Sequence, residues 1–200
     1  MTVSSPRTNH ENPSAHLVSL ARTIAAQHAL DPALVCAVVE QESAWNANAI
    51  RYEPAFRMRY VAPLTLPATE EIARSISWGL MQVMGQVARE HGFTGKFLSA
   101  LCDPAAGLDI GCIVLASKFA AAARELAAEP SPSSLPATPA GQIPAASGQG
   151  IDPPAPSSPL VPGDRSSPSA ALVRRALLLW NGGADPDYPS QVLARTANFQ

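Results

Sequence analysis

Apolar side chains recur at helical spacing through most of the chain. Leu17, Leu20, Ala21, Ile24 and Ala25 predict a first helix over residues 15–29. Asp31 and Pro32 then restart the chain: the carboxylate can cap a free amide while proline takes the first helical position. The helix they open carries Leu34, Val35, Val38 and Val39 and ends near Ser43. A short helix over residues 69–76 follows, then another over 80–91 that Gly92 can end in a left-handed conformation. Asp103 and Pro104 repeat the capping logic before a long helix to about residue 126. Two more span 170–180 and 188–197, and nothing reads clearly as a sheet.

Between Pro130 and Pro168 the pattern stops. Eleven of the chain's twenty prolines fall there among Ser, Ala and Gly, which supply nothing to build a core, so a disordered Pro/Ser/Ala-rich insertion is expected over 130–168. The helical pattern on both sides predicts one domain made of 15–129 and 169–200, with a flexible stretch at 1–14. The fold class is mainly α.

Charge excludes more than it suggests. The 200 residues carry 14 basic and 16 acidic side chains, which gives no overall excess for neutralising phosphates, so no nucleic-acid partner is expected. Cys36, Cys102 and Cys112 are an odd count for a disulfide framework and read as reduced, buried small hydrophobes. His10, His16, His28 and His91 form no metal-ligand spacing, and neither metal nor cofactor is expected. The polar first residues, MTVSSPRTNHENPS, show neither a signal-peptide core nor an apolar span, so stable membrane insertion is not expected and export would use a non-classical route.

One carboxyl stands out by position. Glu42 continues the stripe of Leu34 and Val38 at the C-terminal end of the second helix. Desolvation and the partial negative charge of a helix end both favour its neutral form, which suits a proton donor near neutral pH. A helix-end glutamate facing a basic neighbour is the ordinary alternative.

The residues around it decide between these. Val39-Glu40-Gln41-Glu42-Ser43-Ala44-Trp45-Asn46 resembles the Glu-Ser motif of the soluble lytic transglycosylases and their phage relatives. Ser77-Trp78-Gly79-Leu80-Met81-Gln82-Val83-Met84 looks like their Gly-Leu-Met-Gln motif, and Trp180-Asn181-Gly182-Gly183 like their Tyr-Asn-x-Gly motif. The resemblance spans 17–197 apart from the insertion. It implies a lysozyme-like domain with a cleft for peptidoglycan glycan strands. Glu42 would protonate the oxygen between MurNAc and GlcNAc, then accept the proton of the MurNAc C6 hydroxyl as that oxygen closes a 1,6-anhydro ring. A lone acid suffices, unlike the two-carboxylate glycosidase scheme.

Roles for other residues follow from the same resemblance. Ser43 would help orient Glu42, and Gly79 would permit close backbone approach. Gln82 would offer an amide to sugar hydroxyls or the N-acetyl group. Met84 would line the cleft or pack in the core, while Leu80 packs in the core. Trp180 replaces the family tyrosine; its indole can donate, stack on a sugar or simply pack, and Tyr188 is a possible source of the missing hydroxyl. Asn181 belongs to the same motif. The Arg- and aromatic-rich stretch 50–76 is similar to a loop of phage relatives; either its aromatics form a subsite wall and Arg57 or Arg59 meets lactyl or peptide-stem carboxylates, or it is simply a solvated loop. Glu53, in that stretch, would make the protein a lysozyme-type hydrolase if it activated water across the cleft from Glu42; structural hydrogen bonding to the loop is its more ordinary role. A non-catalytic peptidoglycan-binding protein is the other class left open. The setting would be a phage component or a secretion machine, acting on peptidoglycan in the periplasm or cell wall.

Overall fold

A computed structural model describes residues 13–128 and 168–200. The expectations for the first twelve residues and for most of the insertion therefore lie outside the described residues. Eight α-helices, three short strands and several single turns are present among them: α1 (Pro13–Gln27), α2 (Pro32–Ser43), β1 (Ile50–Tyr52), α3 (Pro54–Phe56), α4 (Ala68–Arg74), β2 (Ile76–Trp78), β3 (Val83–Met84), α5 (Gly85–Glu90), α6 (Pro104–Ala128), α7 (Ala170–Trp180) and α8 (Tyr188–Thr196). The fold is mainly helical and consistent with a lysozyme-like domain.

The centre is α2. Asp31 accepts from the Ala33 amide at 2.8 Å and Pro32 occupies the first helical position, which fixes where the helix starts. Leu34 to Val39 are all buried, so this helix is apolar around its whole circumference and is surrounded by others. It packs against α1 on one side and against α8 and the terminal turn Ala197–Phe199 on another. Burial of each of its Leu and Val side chains contributes about 1.5–3 kcal/mol. The helix α6, opened by Asp103 accepting from the Ala106 amide at 3.0 Å, packs against α1, α5 and α7. By length and hydropathy α6 could cross a membrane, but core helices meet the same test, and its Leu108, Ile110, Val114 and Leu115 are buried within the fold. The three cysteines are free, with Cys36 and Cys112 buried and Cys102 half-buried. Burial pushes the Cys36 thiol up to about 11 and that of Cys112 to about 12.

Two expectations are corrected. A three-stranded antiparallel sheet is present, ordered β1-β2-β3, with Ile50 opposite Trp78, Tyr52 opposite Ile76 and Ser77 opposite Met84. The helix expected over 80–91 begins only at Gly85, because residues 79–82 form the tight turn between β2 and β3 and Val83 and Met84 pair in the sheet. Backbone conformation explains why. Gly79 has φ +68° and Gln82 has φ +48°, neither of which a right-handed helix admits. Leu80 and Met81 are buried as a plug from this turn rather than as a helical stripe, and Met81 lies so close to Gly111 of α6 that a Cβ there would sit 2.3 Å from its sulfur. Gly92, at φ +92°, does end α5 in the left-handed region.

Candidate active site

Helix α2, the β2–β3 turn and the segment joining α7 to α8 meet at a cleft of about 830 Å³. Glu42, Glu53, Gln82, Met84, Trp180, Asn181 and Tyr188 all line it.

Glu42 stands on the last turn of α2. Its Oε1 accepts from the Tyr188 hydroxyl at 2.6 Å and from the Trp180 indole nitrogen at 3.0 Å. These donors come from opposite ends of one connection: Trp180 closes α7, and Tyr188 opens α8. The turn between them is held by Asn181, whose Oδ1 accepts from the Gly183 amide at 2.9 Å and whose amide donates to the Asp185 carbonyl at 3.0 Å. Gly182 and Gly183 take φ +69° and +75°, which the turn requires and glycine supplies without strain. Asp185 accepts from the Asp187 amide and from Gln191, and Gln191 in turn accepts from Gln41 at 2.9 Å, so α8 is tied back to α2 one residue from Glu42.

Burial raises the Glu42 carboxyl above the ordinary glutamate range; the hydrogen bonds from Tyr188 and Trp180 and the field of Arg51 pull the other way without cancelling it. No cation lies within ion-pair distance of Glu42 among the described residues. Tyr188 is itself pushed well above the usual phenol range by burial and by the adjacent carboxyl, so it remains a donor. Since Oε1 already accepts twice, Oε2 is the oxygen left to carry a proton.

The backbone just after Glu42 is strained. Ala44 and Trp45 have φ +48° and +67°, and Gln82, in the β2–β3 turn, has φ +48°. Left-handed conformations of non-glycine residues cost about 1–3 kcal/mol each and persist where packing over-determines them. Here the Ser43 hydroxyl lies 2.8 Å from the Leu80 carbonyl and 3.1 Å from that of Val39. Ser43 therefore ties the end of α2 to the turn after Gly79 and makes no hydrogen bond to the Glu42 carboxyl among the described residues. Gly79 is required by space as well as by φ: a Cβ would lie 2.3 Å from the Leu101 carbonyl oxygen.

Gln82 spends its amide on the turn, donating to the carbonyls of Ala49 and Gly79 at 2.9 Å each and accepting from Ser77 at 2.9 Å. Met84 is half-buried on the cleft wall. Glu53 pairs with Arg51 at 2.5 Å, and its own amide donates to the Ser75 carbonyl. Arg57, expected to meet substrate carboxylates, is instead held by Glu71 at 2.6 Å, because α4 folds back against the turn Arg57–Val61. Arg59 stacks over Tyr60 and does not line the cleft. Phe56, packed against Tyr60, does line it.

Sequence reasoning passed over Gln41, Lys118 and Asp185, which also line the cleft. Lys118 carried a usable signal, standing one turn after Val114 and just beyond the apolar run Ile110 to Leu115.

A family model described as the Transglycosylase SLT domain matches residues 19–128. The match covers more than half of the chain, and the chain belongs to that family. Neither the curated proteins nor the solved structures yielded a match. The family is one of lytic transglycosylases, lyases that act on peptidoglycan, and membership assigns this chain to that class and that polymer. The matched span includes Glu42 and the β2–β3 turn but stops before Trp180 and Tyr188, whose place in the site rests on geometry alone.

Proposed function

We propose that the protein cleaves the β-1,4 bond between MurNAc and GlcNAc in peptidoglycan and leaves 1,6-anhydro-MurNAc ends, with Glu42 acting first as acid and then as base. The observation that carries this reading is the Glu42 carboxyl in the cleft, withdrawn from water, without a contacting cation and with both protein donors on one oxygen. The proton on Oε2 passes to the glycosidic oxygen as the bond from that oxygen to the MurNAc anomeric carbon breaks. The carboxylate so formed is stabilised by Tyr188 and Trp180, each charge-assisted hydrogen bond contributing about 1.5–3 kcal/mol. Oε2 then takes the proton of the C6 hydroxyl while O6 bonds to the anomeric carbon, and no water is consumed.

Tyr188 fills the role of the hydroxyl that Trp180 lacks, and the indole adds a second donor. Asn181, Ser43 and Gln82 hold the backbone that frames the carboxyl. Phe56 and Met84 offer stacking and apolar contact to sugar faces. One domain assembled from the segments on either side of the insertion, working on the wall as a phage component or through a secretion machine, completes the reading.

The test is digestion of purified peptidoglycan with separation of the products by mass. Anhydro-muropeptides from the wild type and none from Glu42→Gln are expected. Reducing ends would replace this reading with hydrolysis, and a folded wild type that binds the polymer without releasing products would replace it with a binding protein.

A further inference from the structure

The charged groups lining the cleft are almost all accounted for. Glu53 is paired with Arg51, Asp185 is engaged by Gln191 and the Asp187 amide, and Glu42 accepts from Tyr188 and Trp180. Lys118 is the exception: it lines the cleft from α6, is half-buried, and takes part in no ion pair or hydrogen bond among the described residues. An ammonium on the cleft wall with no protein partner among the described residues gains from a carboxylate that arrives with the substrate. Its surroundings narrow the choice. Val114 lies one turn before it on the same face of α6, and Val87 of α5 lines the same cavity, so an apolar patch adjoins the positive charge.

Muramic acid differs from glucosamine by an ether at O3 that carries a methyl group next to a carboxyl. In stripped glycan that carboxyl is free; in intact peptidoglycan it is amide-linked to a peptide stem that brings carboxylates of its own. We propose that Lys118, with Val87 and Val114, forms the subsite for this O3 substituent, the ammonium meeting a carboxylate and the valines its methyl-bearing carbon. The subsite sets a preference for muramyl over glucosaminyl residues next to the scissile bond. It extends the glycan-cleaving reading of Glu42 and replaces Arg57, which Glu71 holds, as the cation for this group.

The test measures binding separately from turnover. Titration calorimetry on Glu42→Gln, alone and combined with Lys118→Met or Lys118→Arg, would use four soluble tetrasaccharides: stripped of peptide, bearing peptide, bearing peptide with every carboxyl converted to an amide, and the GlcNAc tetramer. Lys118→Met should weaken binding of a carboxylate-bearing fragment about 3- to 10-fold without weakening that of the two fragments that carry no carboxylate. Lys118→Arg should restore most of the loss. Loss confined to the stripped fragment identifies the lactyl carboxylate as the partner, and loss confined to the peptide-bearing one identifies the stem. Equal loss on all four fragments, no loss on any, or no binding of a charged fragment by Glu42→Gln overturns the proposal. Charge-dependent binding in a protein whose wild type releases no anhydro product would instead overturn the catalytic reading and leave the subsite standing.

Discussion

Two carboxyl groups reach the same cleft from different parts of the fold, and their surroundings are opposite. Glu42 is delivered by the end of a buried helix, where the peptide carbonyls carry partial negative charge and its side-chain hydrogen bonds among the described residues come from two neutral donors. Glu53 sits just after β1 on an exposed loop, beside the guanidinium of Arg51, with side-chain exposures of 31 % and 72 % for the pair. Burial raises the first above the ordinary carboxyl range. The second is paired with a cation, and water screens the pair. A proton donor is made by withholding countercharge and solvent; a framework ion pair is made by supplying both. This difference supports the proposed single-acid route, since the cleft provides one group suited to giving up a proton and another already paired with a neighbour.

The largest expected effect breaks the symmetry of the pair directly. Glu42→Gln should lower kcat by about 10³-fold or more, as loss of a general acid does, while circular dichroism shows the fold retained. Glu53→Gln should change kcat by less than about fivefold, the range open to an exposed ion pair contributing under ~1 kcal/mol. Equal losses at the two positions would mean that both carboxyls take part in the chemistry and would restore the two-carboxylate scheme.

Next in size is removal of a donor from Glu42. Tyr188→Phe should lower kcat about 10- to 100-fold, the equivalent of one hydrogen bond to a charged group. The pH profile gives the sharper reading. The hydroxyl favours the charged carboxylate, so deleting it raises the carboxyl further, and the alkaline limb of kcat/KM, where the acid loses its proton, should move to higher pH. An unmoved limb with the same loss of rate would assign Tyr188 to shaping the cleft. Trp180→Phe should move the limb in the same direction by a smaller amount, because its 3.0 Å bond is the longer of the two.

Of the two carboxyls, Glu42 was the more legible in the sequence. Glu42 could be found because its position depends on local rules: an Asp-Pro cap fixes the start of α2, helical spacing fixes the face, and the Glu-Ser pattern marks the end. The turn at Gly79 was legible as a close approach for the same reason. The sheet was not, because its strands are two or three residues long and exist through pairings such as Ile50 with Trp78, which no local alternation announces. Missing the sheet also hid the conformation of Gln82 and lengthened α5. The pairing of Arg57 was not legible because its partner, Glu71, lies on another element, and Lys118 was passed over because a lysine on a helix ordinarily faces solvent. The hydroxyl of Tyr188 was visible as a candidate, yet its 2.6 Å contact with a carboxyl 146 positions away belongs to tertiary structure.

The smallest effects are on stability, and the two positions should give opposite signs. The folded state raises the Glu42 carboxyl above its unfolded value, so it binds that proton more tightly than the unfolded chain does. Stability is then lost as pH rises from the ordinary carboxyl range through the raised value, and is level above it. Glutamine keeps an oxygen for Tyr188 and Trp180 but carries no proton to lose. The Tm of Glu42→Gln should therefore match the wild type in acid and exceed it by an amount that grows toward neutral pH and then stays constant. Glu53→Gln removes a solvent-screened ion pair and should lower Tm slightly at neutral pH, by the equivalent of less than ~1 kcal/mol, with the deficit shrinking at high salt. A Glu42→Gln variant that is less stable than wild type at every pH would mean that the carboxylate is held in place by its neighbours rather than kept from ionising by burial, and the difference between the two acids would lose its physical basis.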